Sequence, residues 1–79
     1  MITVYVKPSN CRYCEAVKAR LAKENIKFET RFIDGEVLEL ALDKGWKAAP
    51  IVLSTDHPEL AFAGGSQEHL DAFVEAHKP

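Results

Sequence analysis

Hydrophobic positions along this chain switch repeatedly between strand-like and helix-like spacing. Ile2-Thr3-Val4-Tyr5-Val6 is a β-branched and aromatic run of strand length. From residue 12 to about 24 the period lengthens. Cys14, Val17 and Leu21 then share one helical face, while Lys18, Arg20, Lys23 and Glu24 fall largely elsewhere, and Asn25 is the expected stop. Phe28, Thr30, Phe32 and Ile33 predict a second strand. Asp34-Gly35 turns the chain into a helix carrying Val37, Leu40 and Ala41 on one side, and Gly45 ends it. Ile51-Val52-Leu53 predicts a short buried strand, Thr55-Asp56-His57-Pro58 a turn, and Glu59 to Ala63 an antiparallel partner strand. After Gly64-Gly65, Ser66 is placed to cap a last helix on which Leu70, Phe73, Val74 and His77 recur at helical spacing. The order βαβαββα predicts an α/β fold: a parallel βαβ unit extended by an antiparallel hairpin, giving a four-stranded mixed sheet flanked by three helices.

Composition narrows the function classes. With 79 residues, no repeat and no linker, the whole span 1–79 is expected to form one domain with a small core. A net charge of −2 without a lysine or arginine block leaves no electrostatic footprint for nucleic acid or an anionic membrane surface. No apolar stretch approaches the ~20 residues that cross a bilayer. The chain opens directly on a strand instead of a signal segment, so the cytoplasm is the expected compartment.

The chemistry is concentrated in Cys11-Arg12-Tyr13-Cys14, which holds the chain's two cysteines. Their place at a strand-to-helix turn is that of a reversible dithiol switch, and a reducing compartment disfavours a purely structural bridge. Cys11 lies at the helix start, where free backbone amides and the helix dipole favour a thiolate, so it is the expected nucleophile. Cys14, one turn inside the helix and directed inward, is the expected resolving thiol. Lys7 and Arg12 add positive potential. Zinc would need further ligands, and His57, His69 and His77 lack a close ligand pair and are expected at the surface or an edge. A cluster shared between two chains could still use two cysteines from each, which keeps a metal-binding or iron–sulfur module as an alternative.

Ala49-Pro50 is the second informative pair. Its plain reading is a proline at the start of a buried strand. Its sharper reading is a cis-proline beside the thiols, shaping a groove in which the Ala49 backbone pairs with an extended substrate segment. Tyr13 would stand at the rim of that groove, and Trp46 serves equally well as core filling or as a partner contact. Gly64-Gly65-Ser66 can be a simple turn, or a set of amides at a helix start that receives a carboxylate.

Val4-Tyr5-Val6-Lys7-Pro8, Cys11-Arg12-Tyr13-Cys14, Ala49-Pro50-Ile51-Val52 and Gly64-Gly65-Ser66, in this order and spacing, resemble the glutaredoxin family of the thioredoxin fold. Within it, Gly45-Trp46-Lys47-Ala48-Ala49-Pro50-Ile51-Val52 looks most like the NrdH-redoxin branch. The resemblance implies a thioredoxin-like fold and a monomeric dithiol–disulfide oxidoreductase without a bound cofactor. It further implies reduction by thioredoxin reductase and electron donation to ribonucleotide reductase. The alternative it leaves open is a glutathione-dependent glutaredoxin. Against that alternative, Arg12 replaces a proline of the glutathione-using pattern, and Gln67 stands where an acidic residue would hold the glutathione ammonium group. Tyr13 and Gly64-Gly65 match the glutathione-using pattern, and Phe62 only partly matches the tryptophan of NrdH-redoxins.

Overall fold

The computed structural model describes residues 1–8 and 10–79. The elements are β1 (Ile2–Val6), α1 (Arg12–Lys23), β2 (Glu29–Phe32), α2 (Gly35–Lys44), β3 (Ile51–Ser54), a 3-10 turn (Pro58–Leu60), β4 (Phe62–Ala63) and α3 (Gln67–His77). The strands form one sheet in the order β2-β1-β3-β4. β1 runs parallel to β2, with Val4 opposite Thr30. It runs antiparallel to β3, with Val4 opposite Val52, and β3 pairs antiparallel with β4, with Val52 opposite Phe62. The parallel pair requires a crossover, which α1 supplies.

Alternation along the strands divides the core into two layers. Ile2, Val4 and Val6 of β1 point to the side covered by α1 and α3, where they join Val17, Leu21, Phe73 and Val74. Tyr5 points to the other side, which α2 covers with Val37 and Ala41 against Ile51. Leu21, Val4, Val17, Phe73 and Val74 are all almost wholly buried, and each such side chain stabilises the fold by roughly 1.5–3 kcal/mol relative to exposure.

Local chemistry sets the helix ends. Asp34 accepts from the Val37 N–H at the start of α2, and Ser66 accepts from the His69 N–H at the start of α3. Gly45, at φ 77°, ends α2 in the left-handed region, and Trp46 N–H returns to Ala41 C=O at 2.8 Å. Asn25, at φ 60°, ends α1 in the same way, with Ile26 N–H bonded to Leu21 C=O. Asparagine tolerates this conformation better than most non-glycine residues.

Two sequence expectations need correction. The strand expected over Glu59 to Ala63 is only Phe62–Ala63, because Pro58 opens a 3-10 turn whose Leu60 N–H closes on His57 C=O. His77 is no simple edge group. Its Nδ1–H donates to Phe73 C=O at 2.7 Å, its Nε2 lies 2.7 Å from Ser54 Oγ, and its ring stacks on Phe73. Ser54 Oγ also accepts the His57 N–H, so this buried hydroxyl is satisfied at the end of the sheet where β1 begins.

Candidate active site

The opposite end of β1 leads into the dithiol loop. β1 ends at Val6, Lys7 follows it exposed, and Asn10 adopts φ 42° just before the cysteines. Cys11 is the N-cap of α1, with an extended backbone, and its Sγ accepts from the Cys14 N–H at 3.2 Å. Its carbonyl receives the Glu15 N–H at the same distance. The two sulfurs are joined as a disulfide. Their environments differ. Cys14 is 3% exposed and belongs to the core beneath the loop, whereas Cys11 is partly exposed and faces a groove.

That groove has a volume of about 780 Å³ and runs between the dithiol loop and α2. Lys7, Arg12 and Tyr13 line its thiol side, and Ala49 closes it near β3. The Ala49–Pro50 peptide bond is cis, which puts the strand-start proline and the groove-shaping proline in one residue. Pro50 itself is buried behind the groove surface. Its carbonyl accepts the Gly64 N–H at 2.8 Å, tying the glycine pair to this strand.

Gly64, Gly65 and Ser66 do not line the groove. The Gly64 amide is committed to Pro50, the Tyr13 ring lies against Gly65, and Ser66 Oγ is occupied in capping α3. An amide cradle for a carboxylate therefore lacks the Gly64 donor. Gln67 donates from Nε2 to Asp71 Oδ1 at 2.9 Å, and Asp71 also receives Arg20 from α1 at 2.8 Å. The Arg20 guanidinium first, and the Gln67 amide second, hold the Asp71 carboxyl below its ordinary value.

Sequence periodicity overlooked one wall of the groove. Leu38 and Leu42, one turn apart on α2, are 50% and 77% exposed beside it. Trp46 is half-buried, packing on the α2-side core while also lining the groove, and Lys47 follows it. The overlooked signal was an apolar surplus on α2, since Val37 and Ala41 already supply its buried face. Among the described residues, no cluster of three or more histidine, cysteine or carboxylate side chains is placed to hold a metal ion. No helix of the described residues is long and apolar enough to cross a membrane.

Comparison with known proteins sets this geometry in a family. The sequence pattern of the Glutaredoxin family matches residues 2–57, from β1 past β3. Among solved structures, the chain is similar to the glutaredoxin-like protein NrdH-redoxin from Escherichia coli, whose reported activity profile is thioredoxin-like. The two share 25% sequence identity and a TM-score of 0.71, over 90% of this chain and 91% of that one. No curated protein sequence matches significantly. The four-stranded sheet with its three helices is thus a thioredoxin-like fold. Because the family pattern contains the Cys11–Cys14 pair and the cis-proline strand beside it, the chain belongs to the glutaredoxin family, with its NrdH-redoxin-like branch, and is a thiol–disulfide oxidoreductase.

Proposed function

We propose that this protein is a one-domain, monomeric carrier of the cytoplasm that takes electrons from a thioredoxin reductase and passes them to a disulfide in ribonucleotide reductase. In the reduced protein, the Cys11 thiolate attacks one sulfur of the target disulfide. The target S–S bond breaks, its second sulfur leaves as a thiolate, and a mixed disulfide remains on Cys11. Cys14 then loses its proton and attacks Cys11 Sγ, releasing the first target sulfur. Two electrons have moved to the target, the two target thiolates take up protons, and the Cys11–Cys14 disulfide remains. An external dithiol of the reductase restores the pair by the same exchange in reverse.

The observation that carries this reading is the asymmetry of the pair: Cys11 faces the groove at the N-cap and Cys14 is buried beneath it. An N–H directed at Cys11 Sγ stabilises negative charge there once the disulfide opens. Three features favour a protein reductant over glutathione. The groove wall is apolar, the Gly64 amide is already bonded, and Gln67 offers a neutral amide engaged with Asp71 where an ammonium group would need a carboxylate. The thioredoxin-like activity profile of the E. coli relative supports the same assignment. Glutathione dependence is the second reading, favoured by the cations Lys7, Arg12 and Lys47 around the groove, which suit its carboxylates.

The two readings separate in a coupled assay. Turnover is expected to be efficient with NADPH and thioredoxin reductase, and poor with NADPH, glutathione and glutathione reductase. Faster reduction by glutathione at physiological concentration would reverse the assignment.

A further inference from the structure

The groove beside Cys11 carries a specific combination of charge and apolar surface. Its formally charged lining residues are Lys7, Arg12 and Lys47, with no carboxylate among them. None of the three forms an ion pair with a described residue. The chain as a whole has a net charge of −2, so this is a cationic spot on an acidic protein. Leu38, Leu42 and Trp46 line the α2 side of the same groove, with the two leucines half or more exposed and Lys47 next to Trp46 in the chain. An exposed apolar wall and unpaired cations lining one groove with a reactive sulfur have the make-up of a recognition site.

We infer that this groove selects disulfides carried on extended segments that combine acidic residues with an apolar side chain near the reacting cysteine. The inference rests on Cys11 being the attacking thiol. A segment that brings its sulfur to Cys11 Sγ lies along this groove. Its apolar side chain covers Leu38, Leu42 and Trp46, and its carboxylates face Lys7, Arg12 and Lys47. Unlike charge raises the capture rate, and the apolar contact slows departure before exchange. A segment with basic flanks meets three cations and is turned away. Glutathione supplies the carboxylates without the apolar side chain and leaves the leucine wall bare.

The test uses the pre-reduced full chain in single turnover, so that each dithiol transfers its two electrons once. Four peptides of equal length carry the same internal disulfide: acidic with leucine, neutral with leucine, basic with leucine, and acidic with glycine. Each rate is divided by that of the same peptide with dithiothreitol, which removes differences in intrinsic reactivity. The acidic leucine peptide is expected to react roughly tenfold or more faster than the basic one at low ionic strength. The gap should shrink to about twofold near ~0.5 M salt, where the Debye length falls below ~5 Å. Lys47→Glu should narrow or invert the charge preference. Leu42→Ser should slow the leucine peptides and leave the acidic glycine peptide unchanged. Equal relative rates for acidic and basic peptides at low salt would overturn the selectivity while leaving the dithiol chemistry standing. Failure to reduce any of the four would instead overturn the assignment of Cys11 and Cys14.

Discussion

The Tyr13 ring rests on the backbone of Gly65, so that a Cβ built at residue 65 would stand only 2.7 Å from Tyr13 Cγ and Cε1. This contact joins the first turn of α1 to the turn that precedes α3, two segments separated in sequence by β2, β3 and β4. Glycine is required here by close approach, since any side chain would push the ring aside.

Gly65→Ala is therefore expected to cost about 1 kcal/mol or more, in the range of overpacking changes. Tyr13 is 51% exposed and can swing away, so the fold should survive. In a Tyr13→Ala background the same change should cost almost nothing. Urea unfolding of the four proteins in the cycle measures the coupling, and additive effects would show that the contact does not constrain residue 65.

The burial difference between the cysteines predicts unequal outcomes of substitution. Cys11→Ser should abolish disulfide reduction. Cys14→Ser should trap mixed disulfides and retain only single-thiol chemistry. Mass spectrometry after brief alkylation of the reduced protein near neutral pH should find the label on Cys11. Preferential labelling of Cys14 would exchange their roles.

Leucines of the two helices should respond unequally to truncation. Leu21 on α1 is 0% exposed, and Leu21→Ala should cost about 2–5 kcal/mol through lost burial and the cavity left behind. Leu42 on α2 is 77% exposed, so Leu42→Ala should change stability by no more than about 0.5 kcal/mol. Thermal unfolding distinguishes them directly. A comparable loss for both would mean that α2 packs in solution with Leu42 inward.

Asp71 contributes a pH-dependent link between α1 and α3. Hydrogen bonds from Arg20 and Gln67 hold its carboxyl below the ordinary 3.8. A lowered folded-state value means that the unfolded chain binds the proton first. The stabilisation is thus fully present above the unfolded value and fades as pH falls through the folded one. Asp71→Asn should lower the urea midpoint at neutral pH, and the difference from the unmodified protein should vanish at the acid end of that window. Parallel midpoints from pH 6 to pH 2 would remove the link.

Much of the architecture was legible because local and global signals agree. The β1 run, the Asp34, Gly45 and Ser66 helix boundaries and the buried faces of α1 and α3 each have a local cause visible in single residues. The edges were harder to read. Phe32 gave a strand signal, yet it is 65% exposed, because β2 has a neighbour on one side only. The turn from Pro58 also shortened β4, since a hydrophobic pattern records burial more faithfully than it records backbone shape.

At the site, the cysteines and Ala49-Pro50 could be read from sequence because their chemistry depends on residue type and spacing. The α2 wall could not be read in the same way. Leu38 and Leu42 fall outside the Val37, Leu40 and Ala41 face in the linear pattern, and only the placement of α2 beside the dithiol loop makes them a wall of the groove. The bonded state of the Gly64 amide likewise depends on a partner, Pro50, that only the folded chain brings near.

The outer strand β2 has a consequence for crowding. Its sequence Glu29-Thr30-Arg31-Phe32 pairs only with β1, and Glu29 and Arg31 form a 3.0 Å ion pair. The far edge, β4, is two residues long. Charge on one border and brevity on the other deny a neighbouring molecule a template for adding its own strand. Both borders of the sheet are thus poor templates for a strand from another copy of this chain.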